Sequence, residues 1–281
     1  MKRELPSFDL VVATVSRVEA LEHFLTSLDF QTHRRFRVIV VDQNTDHRLD
    51  RVLEATGFDV LHLRSEPGLS RARNVGLRRA TADVIAFPDD DCAYEQGLLA
   101  HVGGLLAGEP GLDGMAGRSV DRGGRSSPSW EQDAAVLTAG NLWNRAISYT
   151  IFLRREVVER VGSFDERLGL GSGEPWSSGE EIDYLIRAVK AGARIRYDPS
   201  LTVHHQEKDD DVGFRDGATV GYLLRKHRYP ARTVARMLVR PAGGVVASVV
   251  RGDRARARFH SATLRGRLRG YRAESSANSS A

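Results

Sequence analysis

Three carboxylates stand side by side at Asp89-Asp90-Asp91, directly after the apolar run Asp83–Phe87 and Pro88. Extended backbone turns alternate side chains to opposite sides, so Asp89 and Asp91 share one side and Asp90 takes the other. Neighbouring carboxylates repel one another and weaken the fold unless something offsets them. A divalent cation such as Mg²⁺ or Mn²⁺ is the natural partner, because these ions prefer hard oxygen ligands and often bridge to phosphates. A solvated acidic loop is the plain alternative; the position at the mouth of a buried strand, with Asp42 closing another, favours function. A second acidic group, Glu180, Glu181 and Asp183, follows Ser177-Ser178-Gly179. The helix dipole alone would favour acids in a first turn, and Asp183 could pair with Arg187 four residues on. His204 and His205 follow the strand-like run Pro199–Val203, and alternation lets only one of them face any site. No strand leads into Asp209-Asp210-Asp211, which is read as a solvated loop.

The elements that must position these residues alternate in type. Asp9–Val15, Phe36–Val41, Phe58–Leu63 and Asp83–Phe87 are short apolar runs of the kind expected of buried parallel strands. Between them, Val18–Phe30 carries Leu21, Phe24, Leu25 and Leu28 at helical spacing, and Leu49, Val52 and Leu53 suggest a shorter helix. Ser70 is a candidate cap for a helix over Arg71–Ala80. Four such units argue for an α/β fold, a doubly wound and mostly parallel sheet flanked by helices. Ligands of these sheets sit at the carboxyl ends of the strands, where Asp42 and Asp89–Asp91 lie.

Composition bounds the alternatives. With 281 residues, 41% hydrophobic and 28% charged, the chain has the makings of a water-soluble core. Its one cysteine, Cys92, excludes internal disulfides and makes a reducing compartment the default. No uninterrupted stretch of about 18 apolar residues is present, so no membrane-spanning helix is expected, and the first nine residues lack the apolar core of a secretory signal. From Gly221 to Ala281 there are 14 Arg and Lys against 2 acids, so the net charge of +4 hides an acidic body and a basic end.

The order VDQNTD, GLSRARNVGL and ATADVIAFPDDD resembles the nucleotide-sugar half of glycosyltransferase family 2, inverting enzymes with the GT-A fold. Gly162-Ser163-Phe164-Asp165-Glu166 and Gly179-Glu180-Glu181-Ile182-Asp183 resemble that family's later motifs, so the likeness runs over about residues 7–206. The resemblance implies that Thr14, Asp42, Arg73, Asn74, Asp89 and Asp90 bind the nucleotide sugar. It places the metal on Asp91 and Asp89, with His205 or His204 beside it. It makes Glu181, with Glu180 as runner-up, the base that takes the acceptor's proton, and the family more often has Asp there. Trp176, an aromatic in the glycine-rich segment directly before the Glu pair, is by its location the candidate acceptor contact, and Asp183 is either structural or an acceptor ligand. The implied reaction moves a sugar from a nucleotide-diphosphate donor, most often a uridine diphosphate sugar, to an acceptor hydroxyl, with Mn²⁺ or Mg²⁺ as cofactor.

The expected organisation is a GT-A domain over 1–210, with a donor half at 7–120 and an acceptor half at 121–210, then a basic helical extension over 211–273 and a disordered end over 274–281. The extension mixes Val234, Met237, Leu238 and Val245–Val250 with arginines, which suits a helix pair on an anionic bilayer. That would place the protein in the cytoplasm or at the inner face of the membrane, working on a sugar or lipid-linked acceptor of the cell envelope. No motif supports nucleic-acid binding. Three rivals remain for comparison. A nucleotidyltransferase would want glycine after the first strand, where Ala13-Thr14-Val15-Ser16-Arg17 has none. A receiver domain would end near residue 120. A non-catalytic sugar-nucleotide-binding protein is set apart by whether Glu181 supports turnover.

Overall fold

The computed structural model describes residues 4–127, 129–205 and 213–273. The strands β1 (Phe8–Thr14), β2 (Phe36–Asp42), β3 (Asp59–Arg64) and β4 (Val84–Ala86) run parallel in the order β3-β2-β1-β4. They alternate with helices α1 (Val18–Asp29), α2 (Asp50–Glu54) and α3 (Leu69–Leu77). Each observed strand lies within a residue or two of its apolar run, because uninterrupted Val, Leu and Ile suit a strand covered on both faces.

The two faces are distinct. Leu10, Val12, Val38 and Val40 join Leu21, Phe24 and Leu28 of α1 in one core. Val11, Ile39 and Val41 turn the other way and meet Gly76 of α3 so closely that a Cβ there would overlap Val11. Burying one such aliphatic side chain stabilises by about 1.5–3 kcal/mol. Ser70 does not cap α3: Gly68 holds the cap position, its N–H donating to Gln43 Oε1 at 2.7 Å, while Ser70 is buried inside the helix.

Beyond β4 the sheet becomes mixed. It continues through β5 (Cys92–Ala93), β6 (Gly114–Val120), β7 (Ala135–Val136), β8 (Ile151–Arg154) and β9 (Ile195–His205), with α4 (Leu98–Gly108) and α5 (Arg155–Val161) between. β8 is antiparallel to β4 and β6, β9 is parallel to β6, and β5 and β7 lie antiparallel on β9. An α/β, mostly parallel sheet flanked by helices is therefore the fold.

The chain divides into two units, Met1–Phe164 with Tyr184–Glu207, and Asp165–Asp183 with Lys208–Ala281. The helix α6 (Glu180–Lys190) contributes its first turn to the second unit and its remainder to the first. Segment 165–183, placed by sequence in the acceptor half, thus packs with the C-terminal helices α7 (Gly213–Lys226), α8 (Ala231–Val250) and α9 (Arg254–Arg272). Asp165 and Asp183 both accept from Lys226, and Ser178 bonds Thr219.

Within the second unit, α7 and α9 meet through glycine. A Cβ on Gly217 or Gly221 would overlap the carbonyls of Thr263 or Arg267, and one on Gly266 or Gly270 the carbonyls of Phe214 or Ala218. Only residues without a side chain let the two backbones come this near. The sequence expectation about membrane-spanning length is corrected here. By length and composition alone, α8 could cross a membrane, at 20 residues with a mean hydropathy of 1.3 over an 18-residue stretch. Arginines interrupt its apolar run without making the whole segment polar.

Candidate metal and donor site

Strand register assembles the site. Thr14, Asp42 and Arg64 are aligned across β1, β2 and β3 at their carboxyl ends, and Asp89 bridges to Ala13 beside them. Asp42 is fully buried; its Oδ1 accepts from the Asn44 amide and side chain, and its Oδ2 from His62 at 3.0 Å and Arg64 at 2.9 Å.

The three aspartates take different partners around a turn at Asp90 and Asp91. Asp90 turns inward, where Thr14 Oγ1 donates to it at 2.7 Å and Arg17 at 2.9 Å. Burial pushes its carboxyl above the ordinary range, against the lowering effect of the Thr14 and Arg17 contacts. Asp89 accepts from the buried Arg73 at 2.8 Å and from Ser148 at 3.2 Å. Asp91 accepts from Arg17 at 2.8 Å and faces Nε2 of His205 at 3.0 Å. Burial alone would lower Arg17, but Asp90 and Asp91 hold its guanidinium above its usual value. Ser16, at φ 59°, turns the chain toward this position, its N–H fixed by Asn44 Oδ1 at 2.8 Å.

His205 reaches the group because β5 pairs antiparallel with β9, setting Cys92 opposite His205. Its ring stacks on Tyr149, with centroids 4.6 Å apart and planes 10° from parallel. One ligand atom from each of Asp89, Asp91 and His205 lies within 4.8 Å of the others, so the group could hold a metal ion. Two carboxylates and an imidazole form a donor set that suits Mn²⁺ and is compatible with Mg²⁺. His204 is not brought to this group. Alternation turns it to the other face of β9, where it bonds Glu95 at 2.7 Å and the Asp121 carbonyl. The Cys92 thiol, buried and raised well above its ordinary value, is an inert packing group.

Asn74 uses both ends of its amide on Phe164, accepting from its N–H at 2.7 Å and donating to its carbonyl at 3.1 Å. It thereby anchors the GSFDE segment to α3. Phe164 stacks on Tyr184, and Phe87 meets both rings edge-on.

The remaining candidates lie in the second unit. Gly179 has φ 71°, and a Cβ there would clash with Thr219, so glycine is required where the chain enters α6. Glu180 is buried and Glu181 half-buried. Asp183, fully buried, meets Lys226 at 2.6 Å and His227 at 2.8 Å. Trp176 is buried and stacked on Tyr222, centroids 4.6 Å apart and planes 2° from parallel. Sequence reading passes over Arg17, His62, Arg64, Ser148 and Tyr149. Arg17 and Arg64 carried one usable signal, a position at a strand end. Asp209-Asp210-Asp211 and 274–281 lie outside the described residues.

The sequence model of "Glycosyl transferase family 2" matches residues 9–161. The chain belongs to glycosyltransferase family 2. It is 30% identical over 213 residues to the pre-mycofactocin glycosyltransferase of Mycobacterium tuberculosis, covering 71% of this chain and 42% of that protein. It therefore spans less than half the length of that relative. It is 27% identical to the succinoglycan biosynthesis protein ExoM of Rhizobium meliloti, covering 83% of this chain and 80% of the relative. The fold resembles the mannosyltransferase PcManGT from Pyrobaculum calidifontis, solved with GDP-Man and Mn²⁺. The TM-score is 0.68 at 15% identity, covering 95% of this chain and 87% of that one. It also resembles residues 1–349 of S. aureus TarS, solved with UDP-GlcNAc, at a TM-score of 0.60 and 16% identity, covering 94% and 91% of the two chains. These likenesses show that the chain shares the fold of these two structures.

Proposed function

We propose that this protein is a metal-dependent, inverting glycosyltransferase that moves a sugar from a nucleoside-diphosphate donor to an acceptor hydroxyl. The observation that carries the proposal is the Asp89, Asp91 and His205 group at the carboxyl edge of a family 2 sheet. A bound Mn²⁺ or Mg²⁺ would supply the positive charge that stabilises the departing diphosphate. The chain's own residues do the rest. Arg73 and Ser148 orient Asp89, and Arg17 fixes Asp90 and Asp91. The row Thr14, Asp42 and Asp90 forms the floor against which the nucleoside and sugar bind. Asp42, held by His62 and Arg64, is pre-set rather than free to swing.

Glu181, in the first turn of α6, is proposed to take the acceptor's proton, with Glu180 as the alternative. One base acting opposite the leaving group inverts the anomeric centre. The donor is taken to be a uridine diphosphate sugar. The domain reading, a GT-A domain followed by a basic helical extension, is carried forward with it. So is a peripheral position at the inner membrane face. Val239, Val246 and Val250 are exposed along one side of α8, with Arg236 and Arg240 flanking them. Such a position suits synthesis of an envelope polysaccharide or glycolipid.

The test is a thermal-shift panel of uridine, guanosine and thymidine diphosphates with and without Mn²⁺, on wild type and Asp91→Asn. A metal-dependent rise with one nucleotide, lost in the variant, supports the proposal. Ligand at about 100 times its Kd stabilises by about 2.7 kcal/mol, which is readily seen. No response to any nucleotide at millimolar concentration overturns it.

A further inference from the structure

The second unit contains a cavity of about 670 Å³ lined by Glu174, Pro175, Trp176, Arg265, Leu268, Arg269, Arg272 and Ala273. Its wall is unusual in charge. Arg265, Arg269 and Arg272 recur at spacings of four and three, so they share one face of α9. All three are exposed. Like charges at such spacing weaken a helix by a few tenths of a kcal/mol per pair. The dipole at the C-terminal turn favours Arg269 and Arg272, but Arg265 lies a turn earlier. Glu174 is the one acid lining the cavity, and it faces Arg167 at 3.9 Å.

The rest of the lining includes an apolar part: Trp176 and Pro175, with Leu268 on α9 among the arginines. Trp176 is 8% exposed, its ring is fixed by the stack on Tyr222, and its indole N–H has no acceptor among the described residues. A buried donor without a partner costs free energy unless a ligand or water meets it. Three guanidiniums beside aromatic and aliphatic surface match one ligand chemistry: a phosphate or diphosphate carried on an apolar body. Guanidinium forks bind phosphate oxygens in pairs, and the indole and Leu268 offer surface to a hydrocarbon.

We propose that this cavity binds a phosphate- or diphosphate-bearing amphiphile. Arg265, Arg269 and Arg272 take the phosphate oxygens, and Trp176, Pro175 and Leu268 pack on the apolar part. Trp176 precedes Glu180 by four residues, so the occupant is the acceptor; naming it so rests on the transferase reading, whereas the binding site does not.

The experiment uses the full chain with Trp130→Phe and Trp143→Phe, which leaves Trp176 as the one fluorophore among the chain's three tryptophans. It is titrated with inorganic pyrophosphate and with geranyl diphosphate, a short soluble amphiphile. The expected result is a saturable change in Trp176 emission, with geranyl diphosphate binding about tenfold or more tightly than pyrophosphate because of the apolar surface. Arg265→Gln, Arg269→Gln and Arg272→Gln together should weaken binding at least about tenfold. Glu174→Gln should tighten it by removing the facing negative charge, a gain that damage to the fold would not produce. No emission change at millimolar ligand, or binding unaltered by the triple variant and by Glu174→Gln, overturns the site. Equal affinity for the two probes overturns the amphiphile and leaves a simple anion site. The nucleotide thermal shift is run on the same proteins. A retained nucleotide shift without a Trp176 response refutes this cavity alone. A Trp176 response without any nucleotide shift refutes the transferase reading and leaves the cavity standing.

Discussion

Nε2 of His205 lies 3.0 Å from Oδ1 of Asp91, across 114 residues of sequence. The short pairing of β5 with β9 makes this contact, and the flat stack on Tyr149 holds the ring in place. If His205 is a metal ligand, His205→Ala weakens Mn²⁺ binding by roughly tenfold or more. His204→Ala is the control: it removes a largely exposed pair with Glu95 and should leave Mn²⁺ affinity unchanged. Calorimetric titration of Mn²⁺ into the three proteins decides, and equal affinities for wild type and His205→Ala would remove the histidine from the site.

Tyr222 gives the second unit an alkaline signature. Burial first, and the nearby Asp165 carboxylate next, push its phenol from 10 up to about 12. A group whose folded pKa lies above its unfolded value stabilises fully below the unfolded pKa and loses that contribution as pH rises through the folded one. The loss therefore falls between about pH 10 and 12. Wild type should lose more stability than Tyr222→Phe across that window. Absorbance titration of phenolate should show one fewer late-ionising tyrosine in the variant. A parallel pH dependence for the two proteins would contradict the burial assigned to Tyr222.

What was legible in the sequence was local. Apolar runs such as Phe36–Val41 announce buried strands, whereas strand alternation does not carry through Asp89-Asp90-Asp91, because Asp90 and Asp91 lie in a turn and share Nη1 of Arg17. Partners fixed by register were not legible. Nothing near Asp42 in the chain says that His62 and Arg64, on the next strand, will close over it. Ser70 looks like a cap by residue type, but the turn is made by Gly68, whose N–H is taken by a distant glutamine. The fourfold spacing of Gly213, Gly217 and Gly221 is visible in the sequence, whereas its matching stripe, Gly266 and Gly270, becomes meaningful only once α7 and α9 are paired.

That pairing makes a prediction about stability. A side chain at Gly217 or Gly270 must displace a facing backbone carbonyl, which cannot move as the end of a flexible side chain can. Gly217→Val and Gly270→Val should each destabilise the second unit by about 1–3 kcal/mol or more. Gly243 has open space around its would-be Cβ, so Gly243→Ala should instead stabilise α8 by up to about 1 kcal/mol. Urea denaturation followed by Trp176 fluorescence separates the cases. Tolerance of valine at Gly217 and Gly270 would show that the helices are not in this close contact.

Asp183 allows its structural and acceptor roles to be told apart. It is fully buried, with Lys226 at 2.6 Å and His227 at 2.8 Å. Removing one member of a buried charge cluster costs about 3–5 kcal/mol when its partners are left unpaired, and less here because Lys226 keeps Asp165 at 2.7 Å. Asp183→Asn should therefore lower stability by about 1–3 kcal/mol, and Asp183→Asn combined with Lys226→Met should lower it further, since Asp165 then loses its cation as well. An acceptor contact predicts another pattern: stability near wild type, with loss confined to turnover. Glu181→Gln is the matching comparison. A base on the half-buried first turn of α6 should lose about 10²–10⁴-fold in turnover while the nucleotide thermal shift persists. Denaturation midpoints and donor consumption measured on the same four proteins assign each carboxylate its role, and unchanged turnover in Glu181→Gln would move the base to Glu180.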